Sequence, residues 1–261
     1  MKGIATASII PVRSNPSEIS EMVTQLLFGE PFSILDQKDS WLLVRSALDD
    51  YEGWIDGKSS HQLVQGHDDA GSLRQGSTLV DAISAKAVNE ADQLPVHLVK
   101  GSILPGFTGE GFTIAENSYS FTGSAVAIPA RPDLSLIQKH ALSYINVPYL
   151  WGGRTPFGID CSGFVQQVFR YCGVFIPRDA DQQVQLGEEV SFLHEVQPGD
   201  LAFFDNPAGN IIHVGILLGE DQIIHASGCV RIDTIDHLGI FRNDLKKYTH
   251  SLRIIKRMMM A

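Results

Sequence analysis

Two short apolar runs near the C-terminal end, Asn210–Leu218 and Gln222–Ser227, are joined by Gly219-Glu220-Asp221, and each carries one histidine. Their β-branched content and the glycine and acidic residues between them predict two strands of a hairpin. A turn centred on Gly219 sets His213 opposite His225, since each lies six residues from that glycine. Directly opposed residues share a face of the sheet, with Cβ atoms about 5 Å apart. A one-residue slip of register would spoil the direct pairing. The fold therefore has to accommodate a sheet that presents two neighbouring imidazoles on one face.

A second element complements them. From Cys161 the chain reads Cys-Ser-Gly-Phe-Val-Gln-Gln-Val-Phe-Arg-Tyr-Cys-Gly, with Phe164, Val165, Val168, Phe169 and Cys172 at the spacing of one helical face. Asp160 is placed to cap the helix start and Gly173 to end it. Cys161 then falls in the first turn, where the positive end of the helix favours a thiolate. A cysteine nucleophile needs an imidazole base, and the base needs a third group to orient it. His213 is assigned as the base and His225 as its orienter. Taken singly, a buried cysteine is a small apolar side chain and a strand histidine a satisfied core residue; the combination favours catalysis. Zinc binding is disfavoured: no Cys-x-x-Cys pair exists, and Cys161 and Cys172 are about three helical turns apart. No metal or other cofactor is expected.

The motifs Tyr149-Leu150-Trp151-Gly152-Gly153, Asp160-Cys161-Ser162-Gly163-Phe164, Pro177-Arg178-Asp179 and Pro198-Gly199-Asp200-Leu201, followed by the two histidines, stand in the order seen in one family. Over roughly residues 131–257 the chain resembles the NlpC-type papain-like cysteine peptidases. In particular it resembles the cytoplasmic γ-D-glutamyl-L-diamino acid endopeptidases that carry N-terminal bacterial SH3-like domains. The resemblance implies an α+β catalytic domain, with helices packed on an antiparallel sheet, and a triad of Cys161, His213 and His225. It also implies that Tyr149 supplies a donor to the oxyanion beside the Cys161 N–H. Asp160, with Ser162 nearby, would bind the free N-terminal amine of the substrate, a role that can coexist with capping the helix. Gly152 and Gly153 would let backbone approach the substrate closely. Arg178 either holds substrate carboxylates or pairs with Asp179 or Asp181. Asp179-Ala180-Asp181-Gln182 has capping-box form for a short helix ending at Gly187.

The first half reads as short strands and turns, among them Ile9–Arg13, Gln25–Glu30, Trp41–Val44 and Tyr51–Ile55. Their order resembles an SH3-like barrel over residues 1–65. Residues 77–130, with His97–Gly101 and Gly123–Ile128, are read as a second, diverged barrel. Gly66–Gly76 is the expected linker, and Pro129-Ala130-Arg131-Pro132 is expected to separate the barrels from a catalytic domain over 131–261. By the resemblance, Glu21 and Tyr51 are the residues of the first barrel expected to close the cleft around a free L-alanine.

Formal net charge is −10, which argues against nucleic acid and polyanionic polymers as partners. Apolar runs are too short to span a bilayer, and three widely spaced cysteines do not form a disulfide framework. Met1–Pro11 lacks the apolar core of a signal peptide, so either the protein is cytoplasmic or a leader has been removed; the initiating methionine favours the cytoplasmic location. The expected function is that of a monomeric murein-recycling endopeptidase. It would cut small murein peptides after γ-D-glutamate and release L-Ala-D-Glu. The rival readings are an amidase or acyltransferase of the same class, or a binding protein for cell-wall fragments.

Overall fold

The computed structural model describes residues 1–59, 61–64 and 77–258, with backbone alone for 62–64. The chain forms two compact units, Met1–Arg131 and Pro132–Ala261. The glycine-rich stretch Gly66–Gly76, expected as a linker, lies outside the described residues.

The first unit begins with seven strands: β1 (Lys2–Ala5), β2 (Ile9–Arg13), β3 (Met22–Leu27), β4 (Pro31–Lys38), β5 (Trp41–Ser46), β6 (Glu52–Asp56) and β7 (His61–Val64). They form one antiparallel sheet in the order β3-β2-β6-β5-β4-β1-β7. Alternation sorts their side chains: Ile10 and Val12 are buried while Pro11 between them is exposed. With Leu26, Phe32, Val44 and Ile55 they make the core of this module. The expected strand at Gln25–Glu30 begins earlier, at Met22, and ends at Leu27, ahead of Gly29, which turns the chain with φ of +80°. Strands β1, β4 and β7 escaped the sequence reading. β4 opens on proline and ends in four exposed residues, so it shows little periodicity.

Seven more strands complete the unit: β8 (Thr78–Val80), β9 (Ser84–Asn89), β10 (Pro95–Val99), β11 (Ile103–Leu104), β12 (Gly111–Ile114), β13 (Asn117–Thr122) and β14 (Ala125–Ala127). They divide into a sheet β10-β9-β13-β12 and a smaller sheet β11-β8-β14. The strand expected at His97–Gly101 lies two residues earlier, at Pro95–Val99, because Gly101 adopts φ of +94° in a turn. Phe28 of the preceding module packs edge-on against Phe112 and Tyr119, so the two modules share a core.

The second unit carries three helices, α1 (Ile137–Leu142), α2 (Cys161–Tyr171) and α3 (Ala180–Gln183). A two-stranded ribbon, β15 (Arg154–Thr155) and β16 (Gly158–Ile159), leads into α2. The main sheet uses β17 (Glu188–Glu189), β18 (Leu201–Asp205), β19 (Ile211–Leu217), β20 (Gln222–Ser227), β21 (Cys229–Asp236), β22 (Gly239–Arg242) and β23 (Lys247–Arg257). Their order is β17-β23-β18-β19-β20-β21-β22, and β22 also pairs with β23. That last pairing closes the antiparallel sheet β18–β23 into a barrel.

Apolar side chains pack on both faces of the barrel wall. Phe204, Leu217, Ile223, Ile235, Ile240 and Ile255 fill the inside. On the outer face Phe203, Val214, Ile216 and Ile224 pack with Phe164 and Val168 of α2. Burial of one such side chain stabilises the fold by about 1.5–3 kcal/mol. All eleven residues of α2 are buried. Asp160 caps this helix through the Gly163 N–H, and Gly173 follows it with φ of +79°. α3 is shorter than the capping box implied. Asp179 makes no side-chain cap there, and the chain continues to Gly187 in single turns bonded Gln185 N–H to Gln182 and Leu186 N–H to Gln183.

Candidate active site

Cys161 is the first residue of α2 and is 6% exposed. The backbone N–H groups of Val214 and Ser162 act on its sulfur and favour the thiolate. Val214 directly follows His213, so the contact of α2 with β19 brings the thiol beside the imidazole-bearing strand. Burial pushes the Cys161 thiol up to about 12, with the Asp160 charge adding to the effect. The Val214 N–H and the Arg178 guanidinium pull the other way. At neutral pH the thiol therefore holds its proton until a base removes it.

The register of the hairpin differs from the one expected. His213 lies opposite Phe204 of β18, and it is Gly215 that lies opposite His225. The Leu218 N–H reaches the Gln222 carbonyl across Gly219-Glu220-Asp221, which centres the turn on Glu220, one residue beyond Gly219. His213 and Gly215 share a face, so His213 becomes a diagonal neighbour of His225. Ring reach makes up the difference: His213 Nε2 and His225 Nδ1 are 2.8 Å apart. With Nε2 engaged there, Nδ1 is the nitrogen of His213 able to serve a thiol.

The polar chain continues through the barrel interior. His225, with no exposed surface, places Nε2 3.0 Å from Asp233 Oδ2. Arg231 holds Asp233 through two contacts, Nε to Oδ2 at 2.7 Å and Nη2 to Oδ1 at 2.9 Å. His250 stacks on His213 with ring centroids 4.2 Å apart. Burial lowers the His213 pKa well below 6.5, and the neighbouring His225 and His250 lower it further. His225 is also lowered, chiefly by burial, against the pull of Asp233. His250 falls to about 4 by burial and the proximity of His225. All three rings are neutral at pH 7.

Four other expected residues gather around Cys161. Tyr149 is half-buried on the loop before β15, and burial together with the Cys161 and Asp160 charges raises its phenol pKa far above 10. It stays a hydrogen-bond donor. Asp160 accepts from the backbone N–H of Gly152 at 2.9 Å and of Gly163 at 2.7 Å. Arg178 donates through both terminal nitrogens to Asp160 and at 2.8 Å to Ser162 Oγ. Arg178 is 1% exposed, so its fork is turned into the protein, where it pairs with Asp160. Gly153 lies against the Gly158 carbonyl, where an added Cβ would come within 2.4 Å.

Residues 146–249 match the NlpC/P60 family, and residues 12–59 match the bacterial dipeptidyl-peptidase Sh3 domain. The chain carries an NlpC/P60 domain behind a bacterial SH3 domain. A γ-D-glutamyl-L-lysine dipeptidyl-peptidase of Bacillus subtilis (strain 168) is 28% identical over 219 residues, which is 78% of this chain and 71% of the relative. A γ-DL-glutamyl hydrolase of the same organism is 34% identical over 169 residues, covering 63% of this chain but 40% of the relative. Among solved structures, an NlpC/P60 family protein from Bacillus cereus ATCC 10987 has a TM-score of 0.79 at 20% identity, covering 98% of this chain and 99% of its own. At that identity the likeness shows the fold, the papain-like one with its SH3 domain.

Within the NlpC/P60 domain, Asp233 and His250 are the polar residues near the histidines that sequence reasoning missed. A weak signal for Asp233 exists: it alternates with Arg231 and Ile235 on the inward face of β21, and a charge inside a strand pattern asks for a partner. His250 lies in the mostly polar β23 and carries no such signal. Glu21 and Tyr51 belong to the other unit, just before β3 and β6 respectively. There the Glu21 carbonyl accepts from the Ser14 N–H and the Tyr51 carbonyl from the Ser46 N–H.

Proposed function

We propose that this chain is a cysteine endopeptidase that hydrolyses the γ-D-glutamyl–diamino acid bond of murein peptides bearing a free N-terminal L-alanine. The observation that carries the reading is the 2.8 Å contact of His213 Nε2 with His225 Nδ1, on the strand whose Val214 packs in one cluster with Cys161. A capped, buried thiol beside an oriented neutral imidazole is suited to acyl transfer through a thioester. The names of the relatives supply the γ-glutamyl linkage, and they are names of those proteins.

In this mechanism Nδ1 of His213 takes the thiol proton as sulfur attacks the γ-carbonyl carbon of D-glutamate. The oxyanion is met by the Cys161 N–H and the Tyr149 phenol, which its raised pKa keeps protonated. The amine of the diamino acid leaves with the proton from His213. A water, deprotonated by the same nitrogen, then hydrolyses the thioester and releases L-Ala-D-Glu with Cys161 regenerated.

The finer parts of the reading belong to it as proposals. Residues 77–130 are a second, diverged SH3-like barrel after the first over 1–65, with the peptidase domain over 131–261. Asp160 and Ser162 bind the free L-alanine end. The protein works as a cytoplasmic monomer in murein recycling. The test is mass spectrometry of L-Ala-γ-D-Glu-diamino acid digests, with the free and the N-acetylated peptide, using native protein and Cys161→Ala. The expected result is L-Ala-D-Glu from the free peptide with native protein alone. Equal cleavage of the acetylated peptide removes the free-amine requirement, and cleavage by Cys161→Ala removes the mechanism.

A further inference from the structure

His225 bonds at both nitrogens, Nδ1 to His213 at 2.8 Å and Nε2 to Asp233 at 3.0 Å. A carboxylate can only accept a hydrogen bond. Nε2 of His225 therefore carries a proton, and because the ring is neutral its Nδ1 is an acceptor. The bond to His213 then has one polarity: His213 donates from Nε2. Being neutral too, His213 is left with its lone pair on Nδ1, the nitrogen that the thiol needs.

The carboxylate state of Asp233 is itself protected. Its two oxygens take the parallel Arg231 donors, and Arg231 Nη2 also reaches Asp244 at 3.3 Å, which Arg242 holds from the other side. Asp233 is buried, so burial alone would raise its pKa, yet its contacts with His225 and Arg231 outweigh that and lower it. A bidentate guanidinium fixes the carboxylate plane as well as its charge. This set lies inside the closed barrel, on the inward faces of β20 and β21, where His225 is directly opposite Arg231.

We propose that Asp233 is a positioning residue, which acts through His225 to fix the tautomers of two imidazoles and so keep Nδ1 of His213 unprotonated toward Cys161. The proposal rests on the reading of Cys161 as nucleophile and His213 as base. Asp233 exchanges no proton in the reaction. The proton taken by Nδ1 returns to the leaving amine, and the hydrogen bonds from Nε2 of each ring keep their direction throughout. Without Asp233 the bond between the rings can reverse, which places a proton on Nδ1 of His213 and blocks the first step. Loss of an orienting partner of this kind lowers activity by about 10–100-fold.

The tautomers can be read directly in the full-length protein by ¹⁵N NMR with labelled histidine. The expected pattern is a proton on Nε2 of both His213 and His225. A proton on Nδ1 of His225 in the native protein overturns the proposal without any variant. Asp233→Leu, which removes the acceptor, is expected to mix the tautomers. It should slow alkylation of Cys161 by iodoacetamide about 10–100-fold and lower kcat while leaving KM within about twofold. Asp233→Glu should restore part of each. Native tautomers and native alkylation rate in Asp233→Leu also overturn it. If native protein fails to cut the γ-glutamyl peptide, the substrate reading falls, while NMR and alkylation still decide the role of Asp233.

Discussion

His250 lies nearly flat against His213, with ring planes 23° from parallel and centroids 4.2 Å apart. The two rings come from β23 and β19, strands separated by β18, and both stand on the barrel interior beside Phe204. The stack limits the ways in which the His213 ring can turn.

An aromatic pair of this kind contributes about 0.5–1.5 kcal/mol beyond simple burial. His250→Ala should therefore lower kcat by up to about tenfold with little change in KM, since the imidazole gains freedom but keeps its hydrogen bond to His225. His250→Phe retains a flat ring and should stay close to native. Steady-state kinetics on a γ-glutamyl peptide check both. A native kcat in His250→Ala would show that the His225 bond orients the base by itself.

Three depressed histidines make stability depend on pH in one direction. In the unfolded chain His213, His225 and His250 titrate near 6.5, whereas in the fold all three lie lower, His250 at about 4. Between those values the unfolded chain binds more protons, so stability falls as pH drops below about 6.5. Thermal melts at pH 7.5 and pH 5 should show a clearly lower Tm at pH 5. His250→Phe should flatten the decline. Asp233, with its pKa lowered, contributes a separate loss at more acidic pH, below the ordinary carboxylate value.

Asp160 and Arg178 form a buried ion pair at the mouth of α2. Removing one partner leaves a buried charge and costs about 3–5 kcal/mol. Arg178→Met should therefore shift the urea midpoint strongly downward. Arg178→Lys should recover little of the loss, since a lysine cannot reproduce the two-pronged contact. The double variant Asp160→Asn with Arg178→Met should be more stable than Arg178→Met alone. A double variant as unstable as the sum of the two single ones would show that the residues act independently.

These residues also mark where sequence reading succeeds. Helix α2 was legible because its signals are local: a capping aspartate, an apolar stripe and a terminal glycine lie within one short segment. The proximity of the two histidines was legible for the same reason, though the turn centre was set one residue early, since a three-residue loop and a tighter turn preserve the same face. His250 reaches His213 through the pairing of β18 with β23, a long-range pairing that leaves no mark in local periodicity, whereas Asp233 meets His225 through the local β20–β21 hairpin. The pairing of Arg178 with Asp160 was not legible, because the two lie eighteen residues apart and lack a spacing signature.

Gly215 offers the sharpest steric test of the corrected register. It stands opposite His225, and a Cβ added there would come within 2.8 Å of His225 Cβ and 2.7 Å of Ile223 Cδ1. The isoleucine methyl can rotate aside, but the His225 Cβ is anchored to the strand and can move only with the backbone or by tilting the ring. Gly215→Ala should therefore disturb the 2.8 Å contact between the imidazoles while leaving Cys161 in place on α2. The expected outcome is a kcat reduced by tenfold or more, on the order of 1.4 kcal/mol of lost transition-state stabilisation, with the far-ultraviolet circular dichroism of the native protein. If the hairpin instead paired His213 directly with His225, the glycine would lie opposite Ile223, and alanine there would cost stability without a selective loss of kcat. Kinetics and urea unfolding of this one variant separate the two registers.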